Sequence, residues 1–551
     1  MKLSFFPSTR FRGGALAALL AIAVPLAGAS VAHATPNAAA KLTSVARKAP
    51  NHRVVALVQF KPRVSEAKAR KLVRAHHGRI TDRLPSIQGF AVKLPARDAK
   101  ALRSSKGVLN VTLNTRVRST STDPSAADPL ATNYPKTVGA DTLHASGLTG
   151  KGVGVAVIDS GIAGDAADFK AADGSSRVTN VISNPGATRP GDDVGHGTHV
   201  AGIIAGKSAD GAYVGVAPDA DLVAIKTADD QGRSTVLDVI NALQFVVAHK
   251  DELNIDVVNL SVSSDTPDSY TEDPLDAAVE FTWHSGVVVV AAVGNRGDAA
   301  DAVNYAPGND PFVISVGATD EKDTSNPSDD VVADFSSRGV TQDGFSKPDV
   351  VAPGAHMTSV GAPGSMFSAE CPVCIIAGSY FKMGGTSMAS PVVAGAAALI
   401  LQAHPELNPD QVKAIIVGNT NGTSDHANEL DITKAINANP GQGANQGVKQ
   451  NQAVADALAQ AGLDPTRATW TSATWTSATW TQASWSSATW TVATGGVAAP
   501  WAKATWTCDA CVGGANGADP TSSTWSQSTW SQSTWSQSTW STSSWSTHKE
   551  W

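Results

Sequence analysis

Short apolar runs and longer helical segments alternate between residues 130 and 437. The runs are rich in β-branched residues and read GVGVAVIDSG, DLVAIKT, DVVNLSVS, GVVVVAAVGN and FVISVGA. The segments between them include STVLDVINALQFVVAHK and DPLDAAVEFTWHSG, which have helical character. Buried strands that alternate with helices are typical of a parallel sheet covered on both faces. The pattern predicts an α/β domain over residues 130–437, with ligand chemistry at the carboxyl ends of the strands.

A different order of elements is predicted for residues 52–118. RVVALVQF, RITDRLPSIQGFAVKLP and VLNVTLN supply four strands, and SEAKARKLVRAHHG and ARDAKALRSSKG supply two helices. The resulting βαββαβ order predicts a small, ferredoxin-like α+β domain. Residues 119–129 are polar and interrupted by proline, so we expect an exposed linker that a protease can cut.

The C-terminal part of the chain has neither pattern. Residues 438–465 are predicted to be a linker because NPGQGANQG is rich in chain breakers, with a short Ala-rich helix at 452–462. In residues 466–551 Trp recurs at every fifth position in two series, a period that fits no helix or strand face. This Trp-repeat tail favours disorder in isolation. The alternatives are a repetitive β-structure or a stacking surface for cell-wall sugars or other partners.

The N-terminus has the pattern of an export signal. Lys2, Arg10 and Arg12 precede the uncharged stretch GGALAALLAIAVPLAGASVAHA, which ends in an A-x-A type cleavage site. We therefore predict a signal peptide over residues 1–34, cut after Ala34. The alternative is a retained anchor, since about 20 residues can span a bilayer, but Pro25 and the glycines favour cleavage. No later segment is long and apolar enough to span, so no stable membrane span is expected in the mature chain.

Charge is divided unevenly along the 551 residues. Residues 1–118 carry 22 Lys and Arg against three acidic residues, whereas the remainder carries 20 basic and 46 acidic residues. Such a basic region is either an arm for nucleic acid or an electrostatic partner of the acidic remainder. Few aromatic residues accompany the basic ones, so no nucleic-acid partner is expected.

Four cysteines form two C-x-x-C pairs, Cys371 with Cys374 and Cys508 with Cys511. Two such pairs can supply four thiolates to zinc, but these lie far apart in the chain, and export favours disulfides. Disulfides are therefore expected, either within the pairs or between them, and the spacing leaves the connectivity open.

Three glycine-bracketed stretches end a strand or begin a helix with a reactive residue. VAVIDSG places Asp159 at the end of a strand, GHGTHVAG places His196 at the start of a helix, and GGTSMASPVVAG places Ser387 at the start of another. A nucleophile, its general base and the carboxylate that orients the base require these three residue types. Metal sharing by His196 and His199 is the alternative, but the neighbourhood offers no third histidine or cysteine. His199 is expected to pack and hydrogen-bond inside the helix.

These stretches resemble the motifs of the subtilisin-like serine proteases, the subtilases of peptidase family S8, in VIDSG, HGTHVAG and GTSMASP. The resemblance covers about residues 130–437 and implies a three-layer α/β fold with a mainly parallel sheet. Residues 52–118 are similar to the family's inhibitory propeptide of the I9 type. The resemblance implies that Asp159 orients the imidazole, that His196 is the general base and that Ser387 is the nucleophile. Asn295 in AAVGN takes the place of the side-chain oxyanion donor, beside the backbone N–H of Ser387.

The resemblance also implies a substrate groove. An extended peptide is expected to pair with the segment LSVSS, and AAVG is expected to form one wall of the specificity pocket. The implied substrate-binding residues are Leu260, Ser261, Val262, Ser263, Ala292, Gly294 and, as a floor residue, Asn304. Arg296 is expected near the pocket rim, either as a solvated surface residue or as a partner for acidic substrate side chains.

No cofactor is expected for catalysis. Calcium commonly stabilises the family, but no loop has a ligand pattern that we can assign. Asp192 and Asp193 favour a solvated turn over a calcium site or an effect on the pKa of His196. The CPVC pair is expected in a disulfide-stiffened loop beside the active site.

Together these expectations describe a secreted or surface-associated serine endopeptidase that acts on polypeptides through an acyl-enzyme. The basic region is expected to dock on the acidic domain as an intramolecular inhibitor until autocleavage within about residues 116–128. The alternative is a catalytically silent attachment protein that uses the Trp-repeat tail to bind a cell-wall or surface partner.

Overall fold

The computed structural model describes residues 37–120, 132–322 and 324–455, together with the backbone of 489–494, 497–498 and 504–505. The predicted signal peptide, most of the predicted linker 119–129 and most of the Trp-repeat tail lie outside the described residues, as do Cys508 and Cys511.

The N-terminal unit has the predicted βαββαβ order, preceded by one more helix. Its four strands β1 to β4 form an antiparallel sheet in the order β2-β3-β1-β4. The additional helix α1 packs on α3 and β4 and buries Leu42, so the unit begins before residue 52. The elements are α1 (Ala38–Lys48), β1 (Arg53–Phe60), α2 (Glu66–Ala75), β2 (Arg79–Leu84), β3 (Gly89–Pro95), α3 (Ala96–Arg103), β4 (Val108–Leu113) and a separate strand β5 (Arg116–Ser119).

The second unit is built on eight parallel strands in the order β22-β17-β13-β12-β10-β6-β8-β7. Strands β6 and β12 are buried along their whole length, as expected where both faces of a sheet are covered. The strands are β6 (Gly154–Asp159), β7 (Val178–Ile182), β8 (Asp221–Lys226), β9 (Ser234–Thr235), β10 (Ile255–Leu260), β11 (Val262–Ser264), β12 (Val288–Ala292), β13 (Ile314–Asp320), β14 (Val331–Val332), β15 (Gly339–Val340), β16 (Ser346–Lys347), β17 (Val350–Pro353), β18 (Met357–Val360), β19 (Ile375–Ile376), β20 (Tyr380–Met383), β21 (Thr420–Gly422) and β22 (Asn428–Leu430).

Helices pack on the central strands in two pairs, α6 with α10 and α7 with α8. Among the described helices, α10 alone is long and apolar enough by composition to cross a membrane, and 89% of this helix is buried inside the fold. The helices are α4 (Tyr134–Thr137), α5 (Ala140–Ala145), α6 (His196–Ala205), α7 (Val236–Leu253), α8 (Pro274–His284), α9 (Met366–Glu370), α10 (Thr386–Ala403), α11 (Pro409–Gly418) and α12 (Ile432–Ala435).

The predicted linker 438–465 packs on the second unit as far as it is described. Ala453 and Val454 are fully buried, and the backbone N–H of Asn451 donates to the Glu280 carboxylate. These contacts anchor the segment to α8, so the folded unit extends beyond residue 437. Of the tail, the backbone of β23 (Thr489–Thr494) pairs antiparallel with the edge strand β7, and β24 (Val497–Ala498) and β25 (Ala504–Thr505) pair with β23.

The N-terminal unit packs against α7 and α8 of the second unit mainly through apolar side chains. Leu84 and Ile87 are fully buried in the same core cluster as residues of these helices. Ion pairs at this interface join Lys41 to Asp265 and Arg103 to Glu272. The interface therefore contains both buried apolar side chains and pairs between the basic N-terminal unit and acidic residues of the second unit.

Candidate active site

The three reactive residues lie where the parallel strands and their helices meet. Asp159 is the last residue of β6, His196 is the first residue of α6, and Ser387 is the second residue of α10. Carboxyl ends of parallel strands share one edge of the sheet, so residues far apart in sequence come together there.

A buried hydrogen bond joins two of these residues. His196 Nδ1 lies 2.7 Å from Asp159 Oδ1, and both side chains are at most 4% exposed. Gly197 makes this approach feasible, because a Cβ atom at that position would lie 2.2 Å from the carbonyl oxygen of Gly161. The glycine in HGTH is thus required for close packing of α6 against the turn after β6.

The imidazole of His196 has a raised pKa. Burial disfavours the charged ring, but the charge and hydrogen bond of Asp159 outweigh it, so the pKa lies above its ordinary value. His196 Nε2 is buried with no hydrogen-bond partner among the described residues. Ser387 Oγ instead donates to the carbonyl oxygen of Ser261 at 3.0 Å. In this arrangement the serine proton is directed away from the imidazole, which has a free nitrogen to receive it.

Asn295 and Ser387 hold one backbone carbonyl group, that of Thr120. Asn295 Nδ2 lies 2.5 Å from the Thr120 oxygen, and the backbone nitrogen of Ser387 lies 3.3 Å from it. Thr386 orients the Asn295 amide, since its backbone N–H and hydroxyl both donate to Asn295 Oδ1 at 3.0 and 2.9 Å. Thr386 was not singled out from the sequence, although it lies inside the GTSMASP motif.

Strand β5 occupies the predicted substrate groove. It is the middle strand of a three-stranded antiparallel sheet, between β11 and β9. Its pairing with β11 sets Ser119 opposite Val262, Arg118 opposite Ser263 and Val117 opposite Ser264. Thr120 continues this pairing, and its backbone N–H lies 2.9 Å from Ser387 Oγ. The N-terminal unit thus lays its last described residues across the reactive serine.

The predicted substrate-binding residues border this groove. Leu260 ends β10, Ser261 accepts a long hydrogen bond from the Thr120 N–H at 3.4 Å, and β11 follows. Ala292 ends β12, and Gly294 follows with a positive φ of 109°. The side-chain oxygen of Asn304, the predicted floor residue, accepts from the Gln342 N–H. The neighbouring ring of Tyr305 lies under the guanidinium of Arg296.

Asp192 and Asp193 are structural residues of the turn before α6. Asp192 accepts hydrogen bonds from the backbone N–H groups of Val194, Gly195 and Thr198 and from the Ser160 hydroxyl. Asp193 pairs with Lys226 at 2.7 Å and with Arg189. The predicted solvated turn is therefore a hydrogen-bonded one, and the Asp192 carboxylate also helps to raise the pKa of His196.

The CPVC pair lies in a loop that covers the reactive histidine. Cys371 and Cys374 form a disulfide, so this connectivity is within the pair. In the preceding helix α9, Phe367 presents its ring at right angles to that of His196, with centroids 6.2 Å apart. Backbone N–H groups of Met366 and Phe367 donate to the carbonyls of Asp193 and Val194. The contact between Phe367 and His196 could not be predicted from the sequence, because the loop has no repeating pattern that would place a given side chain.

Within the described ranges, no group of three or more His, Cys, Asp or Glu residues is arranged to hold a metal ion. Structural calcium therefore stays unassigned. Acyl transfer from a peptide carbonyl to a serine hydroxyl, the chemistry of serine hydrolases, requires only the side chains and backbone donors described above.

Comparison with known proteins gives the same class. The Subtilase family model matches residues 150–463, and the Peptidase inhibitor I9 model matches residues 32–120. Serine protease AprX of Bacillus subtilis is 40% identical over 306 residues, covering 54% of this chain and 68% of that protein. Subtilisin E of the same organism is 33% identical over 374 residues, covering 65% and 82%.

A solved structure is also similar. Fervidolysin from Fervidobacterium pennivorans, described as a keratinolytic enzyme related to subtilisin, superposes with a TM-score of 0.55 at 25% identity. The superposition covers 71% of this chain and 61% of fervidolysin. The chain belongs to the subtilase family and is a subtilisin-like serine peptidase with an I9-type propeptide.

Proposed function

We propose that this chain is an exported serine endopeptidase, made as an inhibited precursor that cuts itself between Thr120 and Ser121. The observation that carries the proposal is the position of the Thr120 carbonyl oxygen. It accepts from Asn295 Nδ2 at 2.5 Å and from the Ser387 N–H at 3.3 Å. Two donors on one carbonyl are what a developing oxyanion needs, so this peptide bond is the one poised for attack.

The proposed reaction begins with rotation of the Ser387 hydroxyl from the Ser261 carbonyl towards His196 Nε2. Oγ then forms a bond to the Thr120 carbonyl carbon while its proton passes to Nε2, and Asp159 stabilises the resulting imidazolium. His196 returns the proton to the leaving nitrogen of Ser121 as the peptide bond breaks. Water, deprotonated by the same imidazole, then releases the acyl group from Ser387 as a free carboxylate.

The same contacts support inhibition after the cut. Strand β5 is hydrogen-bonded on both sides, by β11 and β9, and its Val117 is buried. The apolar interface with α7 and α8 holds the rest of the N-terminal unit. A cleaved product that keeps these contacts blocks the groove against polypeptide substrates.

The proposal is tested with Ser387→Ala in the full chain. The variant is expected to accumulate at precursor length, while the parent yields a mature chain whose N-terminal sequence begins at Ser121. Ser325→Ala, which removes a serine from an exposed turn, is the matched control and should be processed normally. Normal processing of Ser387→Ala, or a mature chain that begins elsewhere, contradicts an intramolecular cut at this bond.

The silent attachment protein is not favoured, since a chain without catalysis has no need of the buried Asp159–His196 pair or the two donors on Thr120. Casein hydrolysis that is lost on treatment with a serine-directed phosphonyl fluoride separates the two functions.

Export and the tail are tested by fractionating cells that make the chain with and without residues 466–551. Retention at the surface only with the tail supports an attachment role for it.

A further inference from the structure

The side chain of Arg296 lies between LSVSS and AAVG, the two segments that are predicted to form the walls of the specificity pocket. Its Nη1 is 3.3 Å from Ser263 Oγ and its Nη2 is 3.3 Å from the Ser264 carbonyl oxygen. These atoms belong to β11, which forms one wall of the groove. A Cβ atom at Gly294, on the opposite wall, would lie 3.2 Å from Nη1. The guanidinium therefore bridges the two walls.

The ring of Tyr305 stacks on the Arg296 guanidinium and restricts its position. The guanidinium carbon lies 3.5 Å from the centre of the Tyr305 ring, a cation–π arrangement, and the Tyr305 hydroxyl donates to Asp301 at 2.9 Å. A planar guanidinium that is stacked on a ring and hydrogen-bonded at two nitrogens has lost much of its rotational freedom. Arg296 is thus a built part of the pocket and not a freely solvated residue.

We propose, on the basis of the proposed function, that Arg296 determines substrate specificity by favouring small or acidic side chains immediately before the cut bond. Two effects of the guanidinium act together. Its bulk fills the space between Ser263 and Gly294, which excludes large apolar side chains. Its positive charge attracts carboxylates and repels Lys and Arg side chains. Thr120, the residue that occupies this place in the precursor, is small and uncharged.

The test uses a peptide series with the sequence of residues 117–119, Val-Arg-Ser, followed by a variable residue and a fluorogenic leaving group. The mature parent is expected to hydrolyse the Asp, Glu, Thr and Ala peptides at least about tenfold faster, in kcat/KM, than the Lys, Arg and Phe peptides. Parent enzyme that cleaves the Phe or Lys peptide as fast as the Thr or Asp peptide overturns the proposal.

Two variants separate bulk from charge. Arg296→Ala is expected to raise kcat/KM for the Phe peptide relative to the Thr peptide by about tenfold or more, because space opens between the walls. Arg296→Glu is expected to reverse the order of the Asp and Lys peptides. An unchanged ranking in both variants overturns the proposal. Arg338→Ala and Arg338→Glu, at an exposed arginine on a neighbouring turn, are the matched controls and should keep the parental ranking.

Labelling with a fluorophosphonate probe counts the competent active sites in each preparation. Rates are then compared per labelled site, so a misfolded fraction of a variant protein does not affect the ranking of the peptides. If the parent itself takes no label on Ser387, the proposed function fails. If it takes label but shows no dependence on the variable residue, only the specificity proposal fails.

Discussion

His199 Nε2 lies 2.9 Å from the carbonyl oxygen of Phe381 and 3.2 Å from that of Met357. The ring therefore connects α6 to β20 and β18, one turn after the reactive histidine. Burial, together with the nearby His196, lowers its pKa to about 3, so the imidazole is neutral and donates through Nε2–H. The second histidine of GHGTHVAG thus hydrogen-bonds α6 to the strands β18 and β20.

His199→Ala is expected to destabilise the fold by about 2–4 kcal/mol, through lost hydrogen bonds and a cavity at a fully buried site. Urea unfolding in the Ser387→Ala background measures this change without self-digestion. His196→Ala should abolish hydrolysis when Ser387 is present, whereas His199→Ala, if it folds, should keep the His196–Asp159 pair and measurable activity. Unchanged stability in His199→Ala, or casein hydrolysis by His196→Ala, would contradict the division of roles.

Removal of the Asn295 donor is expected to act on the transition state. Asn295→Ala should lower kcat by about 10²- to 10³-fold with little change in KM, because the amide meets the carbonyl oxygen where negative charge develops. Asn295→Asp keeps the acceptor for Thr386 but loses the donor, so it should be as inactive as Asn295→Ala. Steady-state kinetics on mature enzyme provide the measurement, and a raised KM with unchanged kcat would argue for a binding role alone.

The Cys371–Cys374 disulfide is expected to stabilise the loop that carries Phe367 over His196. The double variant Cys371→Ser, Cys374→Ser should lose about 2 kcal/mol, the order expected for so short a closed loop, and should inactivate faster on heating. The half-life of activity at elevated temperature, with and without reductant, is the measurement. Cys508→Ser, Cys511→Ser is the control pair, and parental behaviour of the first double variant would refute the stabilising role.

Stability should also depend on pH through buried carboxyl groups of α8 and the segment before β13. Burial raises the pKa of Asp273, Asp276, Glu280 and Asp310, to about 7 for Asp273 and Asp310. Their folded-state pKa values exceed the unfolded values near 4, so the neutral forms favour folding. The contribution of Asp273 and Asp310 is complete below about pH 4 and is lost as the pH rises through about 7, and that of Asp276 and Glu280 is also lost as the pH rises.

Asp276→Asn replaces one of these ionisable carboxyl groups with an amide of nearly the same size. The variant is expected to unfold at higher urea concentration than its parent at pH 8, with a smaller loss of stability between pH 5 and pH 8. Each unit of pKa shift removed corresponds to about 1.4 kcal/mol. Both chains carry Ser387→Ala, and Asp298→Asn, at an exposed position, is the control. An identical pH dependence in Asp276→Asn and its parent would count against the titration.

The elements with strong local patterns could be predicted from the sequence. The buried strands β6, β10 and β12 have unbroken β-branched runs, and Asp159, His196 and Ser387 stand in glycine-rich motifs whose glycines permit close packing. The βαββαβ order could also be predicted from the sequence, because its helices have amphipathic spacing and Ser65 is a cap residue at the start of α2.

Other features depend on contacts that no local pattern records. Strand β5 has four residues, too few for a pattern in the sequence. It is a strand because it pairs with β11 on one side and with β9 on the other. Asn304 is the floor residue that the sequence predicts, whereas the stacking of Arg296 on the neighbouring Tyr305 ring depends on a contact that no motif records. The segment after residue 437 has the composition of a linker, yet the backbone N–H of Asn451 donates to the buried Glu280 carboxylate and the Asn451 side chain donates to the carbonyl oxygens of Tyr270 and Asp273.

Because β5 is the middle strand of its sheet, the Thr120 carbonyl group, where we propose the first cut, is held at a fixed orientation that does not depend on protein concentration. Under this proposal, every later cut requires β5 to leave the groove and a substrate chain to enter it. We therefore expect maturation to have two rates: a unimolecular rate for the proposed cut after Thr120, and a bimolecular rate for degradation of the released N-terminal fragment. Traces of free enzyme added at the start should raise the second rate and leave the first unchanged.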